Sequence, residues 1–257
     1  MFRRFSRCLL FVLASATVLF AQTSTPGPVV IELFTSEGCS SCPPADKMLA
    51  QMQAQHMDGD AELILLGEHV DYWNQLGWKD RFSSRSFTAR QQEYARLSQT
   101  EVYTPELVID GQPSANNDYH SILRSIDASS KRPKPTQVGL EPAGANQLKV
   151  SVDDGGKNNA VLLFITEDNL TTQVKTGENG GTTLHHAAVV REMRTLGKTK
   201  NGSFRDTVAI KWDPEWQPNA LRFIVLVQEA NGAGKVLGAA EVQPKDTSSV
   251  GQSTASE

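Results

Sequence analysis

The residues best suited to chemistry are Cys39 and Cys42, which are spaced as a C-x-x-C pair. A structural disulfide stabilises a chain mainly by closing a long loop, and a loop this short constrains the unfolded chain very little. A zinc site would need two further soft ligands at a suitable spacing, and the sequence contains no second cysteine pair. Reversible thiol–disulfide exchange is therefore the chemistry that the pair favours.

The segments around the pair are suited to positioning a reactive thiol. A β-branched, apolar run over residues 29–34 predicts a buried strand, and residues 35–38 predict the turn after it. Apolar residues from Ala45 to Met52 then recur at helical spacing. Because the pair lies at the N-terminus of this helix, the helix dipole should stabilise a thiolate on Cys39. We expect Cys39 to be the exposed, attacking sulfur and Cys42 the shielded one that resolves a mixed disulfide.

Glu32 is a carboxylate in the middle of this apolar strand, where burying a charge is costly. Strand alternation puts Glu32 on the same face as Val30 and Phe34. If the strand is central, both faces are covered and the carboxyl is buried, which suits a base that takes the proton of Cys42. The alternative is a carboxylate at the strand edge that pairs with a nearby Lys or Arg.

The sequence around the pair also resembles that of a known family. Residues 30–46 (VIELFTSEGCSSCPPAD) resemble the opening of a secreted bacterial thioredoxin-like family, catalogued only as domain of unknown function 1223. Similar later motifs are residues 69–73 (HVDYW), 76–80 (LGWKD), 87–91 (FTARQ), 103–105 (YTP), 177–179 (GEN) and 189–191 (VVR). The resemblance covers nearly the whole mature chain. It implies a thioredoxin-like fold and export, and it supplies no established activity.

Thioredoxin-like proteins place a cis-proline at the mouth of a strand, facing the C-x-x-C pair. By that analogy we expect a cis peptide at Pro105, which leads into a predicted strand over residues 106–111. Thr104, next to it, is then expected to contact the substrate. The alternative is an ordinary trans proline that opens an edge strand.

Trp73 and Trp78 follow a second predicted strand, over residues 62–66. The carboxyl end of that strand should approach the C-x-x-C pair, so we expect both rings to line a groove beside Cys39 and to bind extended peptide. The alternative is that they only pack in the core or in a loop, as large aromatic residues usually do.

The composition changes after residue 130. Residues 131–137 are rich in Lys and Pro and predict a stiff linker. Short apolar runs between Gly- and Asn-rich turns predict a small β-sandwich over residues 138–243, and the Ser/Thr-rich tail over residues 244–257 is expected to be disordered. The predicted fold class is thus α/β: a thioredoxin-like domain over residues 27–130, followed by an all-β sandwich-like domain.

The first 21 residues predict a signal peptide. A basic start precedes an apolar run that is too short to span a bilayer comfortably. The alternative is an uncleaved anchor. Cleavage would remove Cys8 and leave Cys39 and Cys42 as the only cysteines, in a periplasmic or secreted protein without a membrane span. The net charge of −4 argues against a nucleic-acid partner.

Three functions are compatible with these features. The first is a thiol–disulfide oxidoreductase that acts on exported protein thiols and disulfides with an unidentified redox partner and no cofactor. The second is a copper-handling protein that adds Met48, Met52 and His56 to the same thiols. The alternative, which we favour because Met48 and Met52 share the apolar stripe of Ala45 and Leu49, is that the methionines fill the core. The third is an interaction module with an inert disulfide. We expect no metal site at His185 and His186, because adjacent strand residues point to opposite faces.

Overall fold

The structure is a computed structural model that describes residues 27–55, 62–114, 118–144, 146–229 and 232–244. The predicted signal peptide (residues 1–21), His56 and all but one residue of the predicted disordered tail lie outside the described residues. No helix in the described part of the chain is long and apolar enough to cross a membrane.

The first half of the chain is a mixture of strands and helices. Its strand β1 is buried along its whole length, as the apolar run predicts. The helix after it begins with two prolines. Proline has no backbone N–H, but in the first turn of a helix this group would have no partner within the helix. The elements are β1 (Val29–Thr35), α1 (Pro43–Gln55), β2 (Leu63–His69), α2 (Arg85–Ser98), β3 (Glu106–Ile109), β4 (Gln112–Pro113) and α3 (Tyr119–Ser130).

The second half of the chain consists mainly of strands. Most of them match short apolar runs in the sequence. The strands are β5 (Gln137–Pro142), β6 (Gln147–Asp153), β7 (Ala160–Glu167), β8 (Leu170–Gln173), β9 (Thr183–His186), β10 (Val189–Lys198), β11 (Phe204–Ala209), β12 (Leu221–Gln228) and β13 (Val236–Val242).

One eight-stranded mixed sheet runs through both halves, in the order β13-β12-β7-β10-β2-β1-β3-β4. β10 is the strand that joins them, because it pairs with β7 along its length and with β2 in parallel at Val189 and Gly67. The backbone N–H of Gly67 also donates to the carbonyl of Ala188 at 2.7 Å. The fold is therefore mixed α/β, as predicted, but the two halves share one sheet and are not separate units.

Each face of the large sheet is covered by a different layer. On one face of β1, Ile31 and Leu33 pack with α1 and α3. On the other face, Val30 packs with apolar residues of β7, β12 and α2. A three-stranded sheet in the order β11-β6-β5 covers β7 and β12 from the remaining side. A sandwich-like pair of sheets is thus present, but one of its two sheets is the large shared one.

The segment predicted to be a linker is anchored to the first half. Lys134 is only 7% exposed, and its Nζ lies 2.7 Å from an Oδ of buried Asp110. The same ammonium donates to the carbonyl of Pro28. The composition predicts a solvated linker, because Lys and Pro are common in linkers. The buried ion pair instead fixes this segment against β1 and β3.

Candidate thiol–disulfide site

Cys39 and Cys42 form a disulfide at the start of α1, with an S–S distance of 2.12 Å. The carbonyl of Cys42 accepts from the N–H groups of Ala45 and Asp46 at 2.9 and 3.1 Å, so the helix begins directly after the pair. Upstream, the N–H of Cys39 donates to the carbonyl of Ser36 at 3.1 Å. The strand, turn and helix that the sequence predicts therefore position the pair at a helix N-terminus.

Both cysteines are fully buried in the disulfide form, with 0% of each exposed. The prediction that Cys39 is exposed was wrong for this state. The exposed residues are instead the two serines between the cysteines. The hydroxyl of Ser41 lies 3.4 Å from Cys39 Sγ and 3.5 Å from the carbonyl oxygen of Thr104. Ser41 thus bridges the sulfur and the segment before β3.

The Thr104–Pro105 peptide bond is cis, as expected from the resemblance. Trp73 Nε1 donates to Thr104 Oγ1 at 2.8 Å. A Cβ atom at Gly38 would lie 3.3 Å from Trp73 Cβ, so Trp73 packs directly against the turn before Cys39. The structure therefore brings Thr104, Pro105 and Trp73 to the pair.

The ring of Trp78 contacts the side chain of Glu37, in the turn before Cys39. Its Nε1 donates to Glu37 Oε2 at 2.8 Å, and both rings, Trp73 and Trp78, are partly buried. Both tryptophans thus contact the segments around the disulfide, and their binding of extended peptide stays a prediction.

A loop from the second half of the chain also contacts the pair. Asn179 is buried, and its Nδ2 donates to the carbonyls of Glu37 and Cys39 at 2.9 Å each. Glu178 Oε2 accepts from the N–H of Ser40 at 3.0 Å. The arguments from local pattern missed both residues, and the signal that could have found them was the motif at residues 177–179.

Glu32 is buried and paired, but not at a strand edge. Arg90 Nε donates to Glu32 Oε2 at 2.7 Å, and the hydroxyl of Tyr94 donates to Oε1 at 2.6 Å. Arg90 also lies 3.4 Å from Glu68 Oε1. We call Glu32, Glu68, Arg90 and Tyr94 the arginine cluster. By strand alternation Glu32 faces away from α1, so it is held by Arg90 and does not lie on the side of β1 that α1 covers.

A second buried cluster lies next to the pair. Glu37 Oε1 is 3.3 Å from His186 Nε2, and these two atoms have no hydrogen-bond partner among the described residues. His69 Nδ1 is 2.6 Å from Asp80 Oδ2, and its ring centroid is 5.0 Å from that of His186. Asp46 of α1 interacts electrostatically with both histidines. We call Glu37, Asp46, His69, Asp80 and His186 the histidine cluster.

Burial and neighbouring charges shift the pKa values of several groups in the histidine cluster. Burial raises the pKa of Asp46, and the two histidines only partly offset this effect. Burial lowers the pKa of His69, but the charge and hydrogen bond of Asp80 outweigh it, so the net shift is upward. Burial opposes the ionised form of Asp80, but the charge of His69 and its hydrogen bond outweigh this effect, so the pKa of Asp80 is lowered. The cluster therefore contains groups that can exchange protons near the pair.

Of the residues of the copper alternative, Met48 and Met52 lie in or against the core, and His56 is outside the described residues. Met52 is 3% exposed and packs in the core with Leu49, and Met48 packs against the same core. His185 donates to or accepts from Thr171 Oγ1 at 3.1 Å on the outer side of β9, whereas His186 is buried. No group of three or more potential ligands suited to a metal ion occurs in the described ranges.

Comparison with known proteins assigns the chain to a family. The family model described as a protein of unknown function, DUF1223, matches residues 30–228. The chain belongs to this family. No curated protein matches it.

Two solved structures are similar to the chain. The crystal structure of protein AGR_C_4864 from Agrobacterium tumefaciens is similar with a TM-score of 0.69 and 28% identity, over 88% of this chain and 98% of that one. HBP35 of Porphyromonas gingivalis is similar with a TM-score of 0.61 and 18% identity, over 86% of this chain and 76% of that one. The second likeness concerns the fold alone.

Proposed function

We propose that the protein is an exported thiol–disulfide oxidoreductase whose residues 27–130 form a thioredoxin-like module. The observation that carries the proposal is the Cys39–Cys42 disulfide at the N-terminus of α1, with Trp73 and Thr104 around it. The disulfide joins residues three apart, so it adds little to stability, and its position favours a chemical role.

The exchange reaction transfers two electrons between the pair and a substrate dithiol. A substrate thiolate attacks Cys39 Sγ and forms a mixed disulfide, while the Cys39–Cys42 bond breaks and its electron pair leaves on Cys42 Sγ. Cys42 then takes a proton. A second substrate thiolate attacks the substrate sulfur of the mixed disulfide and releases Cys39 as a thiolate, which takes a proton from solvent. The substrate is oxidised to a disulfide, the pair is reduced to two thiols, and the reverse sequence reduces a substrate.

We assign Asp46 as the acid that gives Cys42 its proton when the disulfide is reduced. It lies four residues after Cys42, and its N–H donates to the carbonyl of Cys42 at 3.1 Å, which places the two residues one helical turn apart. Burial holds the pKa of its carboxyl above the usual range, closer to the value that proton transfer at neutral pH requires. Glu32, the candidate from the sequence, is held by Arg90 instead.

Exposed apolar side chains near the pair suit an extended polypeptide substrate. Tyr72 is 37% exposed and Leu76 58%, in the segment that also carries Trp73 and Trp78. Tyr103 is 40% exposed, directly before Thr104. The Gln91 side chain connects these two segments, since its oxygen accepts from the hydroxyl of Tyr72 and its nitrogen donates to the carbonyl of Tyr103. Such a surface would bind apolar side chains exposed in an unfolded exported protein.

The complete burial of both sulfur atoms favours a second candidate, an interaction module with an inert disulfide. An attacking thiolate can reach Cys39 only if the residues that cover it move. The two candidates make opposite predictions for exchange, so a single experiment separates them.

The test is equilibration of the purified protein with buffers of reduced and oxidised glutathione, followed by alkylation and mass spectrometry. An oxidoreductase passes from disulfide to dithiol over a reproducible range of glutathione ratios. Cys42→Ser should accumulate mixed disulfides with exported proteins, because the resolving thiol is missing. Cys39→Ser is the matched control and should accumulate few. A disulfide that stays oxidised at every glutathione ratio would instead identify the inert module.

A further inference from the structure

The loop between β8 and β9 is fixed tightly against the C-x-x-C segment. Thr176 Oγ1 donates to the carbonyl of Gly77 at 2.5 Å. A Cβ atom at Gly77 would lie only 3.2 Å from Gly177 Cα, and both glycines have positive φ. This close backbone contact allows the next two residues, Glu178 and Asn179, to reach the pair.

Glu178 and Asn179 have different effects on the pair. Asn179 is neutral and holds the carbonyls of Glu37 and Cys39, so it fixes the backbone conformation. Glu178 accepts from the N–H of Ser40, and this hydrogen bond lowers the pKa of its carboxyl. Glu178 is therefore a carboxylate at neutral pH, held one residue from Cys39.

We propose that Glu178 is a redox-tuning residue, which disfavours the Cys39 thiolate and so biases the pair toward the disulfide. The proposal deepens the proposed function and rests on it, because it assumes that the pair exchanges. It also gives the reaction a preferred direction. A pair whose thiolate is disfavoured gives up electrons more readily and suits the reduction or isomerisation of exported disulfides.

The charges around Cys39 have opposing effects. The N-terminus of α1 stabilises a thiolate, and the Ser41 hydroxyl is placed to donate to it. The carboxylate of Glu178 and the burial of Cys39 both disfavour it. Neighbouring groups of the histidine cluster, Glu37 and His186, are paired with each other. Glu178 is exposed and has no role in the core, so its charge can be removed without disturbing the packing around the pair.

Oxidation of the pair by glutathione disulfide measures the effect of Glu178. Two Cys thiols and one glutathione disulfide give the Cys39–Cys42 disulfide and two molecules of reduced glutathione. Glu178→Gln keeps the shape of the side chain and removes its charge. At a pH above the Cys39 thiol pKa, where the thiolate is the main reduced form, we expect the equilibrium constant for this oxidation to fall by about three- to tenfold, which corresponds to a thiol pKa that is lower by about half to one unit.

Ionic strength separates a charge effect from a structural one. The carboxylate is exposed, so salt should screen it: the wild-type constant should approach that of Glu178→Gln between about 0.01 M and about 1 M salt, where the Debye length falls from about 30 to about 3 Å. Glu141→Gln removes a remote exposed carboxylate and is the control for net charge. It should leave the constant unchanged.

Two results would overturn the proposal: equal constants for wild type and Glu178→Gln at low salt, or a difference that salt does not reduce. Should glutathione fail to exchange with the wild type, the proposed function fails separately. The tuning is then measured on protein reduced chemically with dithiothreitol, as the pH dependence of Cys39 alkylation by iodoacetamide. A Cys39 thiol pKa that is the same in the two proteins would again contradict the proposal.

Discussion

The arginine cluster and the histidine cluster are both buried carboxylate clusters, but different bases neutralise them. In the arginine cluster, Glu32 bonds to Arg90 and Tyr94 on the face of β1 that points away from α1. The histidine cluster includes Asp46 of α1, and its basic groups are His69 and His186. A guanidinium stays charged at any physiological pH, whereas an imidazole changes charge near neutrality. One cluster therefore keeps a fixed charge, and the other responds to pH.

The pKa shifts within the arginine cluster agree with a structural role. Burial alone would lower the pKa of Arg90, but the charges around it, Glu32 foremost, raise it. Burial raises the pKa of Glu68 well above its usual range, and Arg90 only partly offsets this effect. The ion pair of this cluster is therefore the one between Arg90 and Glu32, at 2.7 Å.

Removing the arginine should have the largest effect on stability. Arg90→Ala leaves Glu32 buried without its base, and we expect the free energy of unfolding to fall by about 3–5 kcal/mol. Arg96→Ala, on the same helix, breaks an exposed pair with Glu93 and should cost no more than about 0.5 kcal/mol. Denaturation in urea measures both. Equal losses would show that Arg90 contributes no more than a surface ion pair.

Arg90 also illustrates what the sequence could and could not predict. β1, the pair and α1 follow from local patterns, because each is encoded by neighbouring residues. Arg90 appears in the sequence as one polar residue of a polar helix. Its burial depends on partners that lie far away in the sequence, Glu32 at a separation of 58 residues and Gln228 at 138.

The joining strand and the loop contacts escaped prediction for the same reason. β10 (VVREMRTLGK) has two buried residues followed by partly exposed ones, so its sequence shows no clear strand pattern. Its position in the middle of the sheet comes from pairing with β7 and β2. Glu178 is 138 residues from Ser40, and Asn179 is 140 from Cys39. Local pattern identifies the C-x-x-C pair, whereas only tertiary contacts bring Glu178 and Asn179 to it.

The pH dependence of exchange tests which cluster serves the chemistry. Asp46→Asn should slow the reduction of the disulfide by dithiothreitol by about tenfold near neutral pH, because the proton for Cys42 must then come from solvent. It should also remove one step from the pH–rate profile. Glu32→Gln should change stability and leave the position of that step unaltered. Stopped-flow fluorescence of the tryptophans beside the pair gives the rates. A step that persists in Asp46→Asn and disappears in Glu32→Gln would reverse the assignment.

The smallest expected effect is the pH dependence of stability that His69 contributes. The pKa of His69 is raised in the folded protein above its ordinary value of 6.5. Protonated His69 therefore adds stability that is fully present below pH 6.5 and is lost as the pH rises through the folded value. The pKa of Asp80 is lowered from 3.8, so its contribution is present above that pH and is lost only in strong acid, as the pH falls through its folded value.

The measurement is the free energy of unfolding in urea between about pH 6 and about pH 9. One proton gives a slope of at most about 1.4 kcal/mol per pH unit, and we expect the wild type to lose stability as the pH rises through this range. His69→Gln should be less stable than the wild type at the acid end and should lose less on going to the alkaline end. His120→Gln changes an exposed histidine of α3 and should follow the wild-type curve. Parallel curves for His69→Gln and the wild type would mean that His69 binds its proton equally in the folded and unfolded chains. The ion pair with Asp80 would then only offset the cost of burying His69, and it would add no pH-dependent stability.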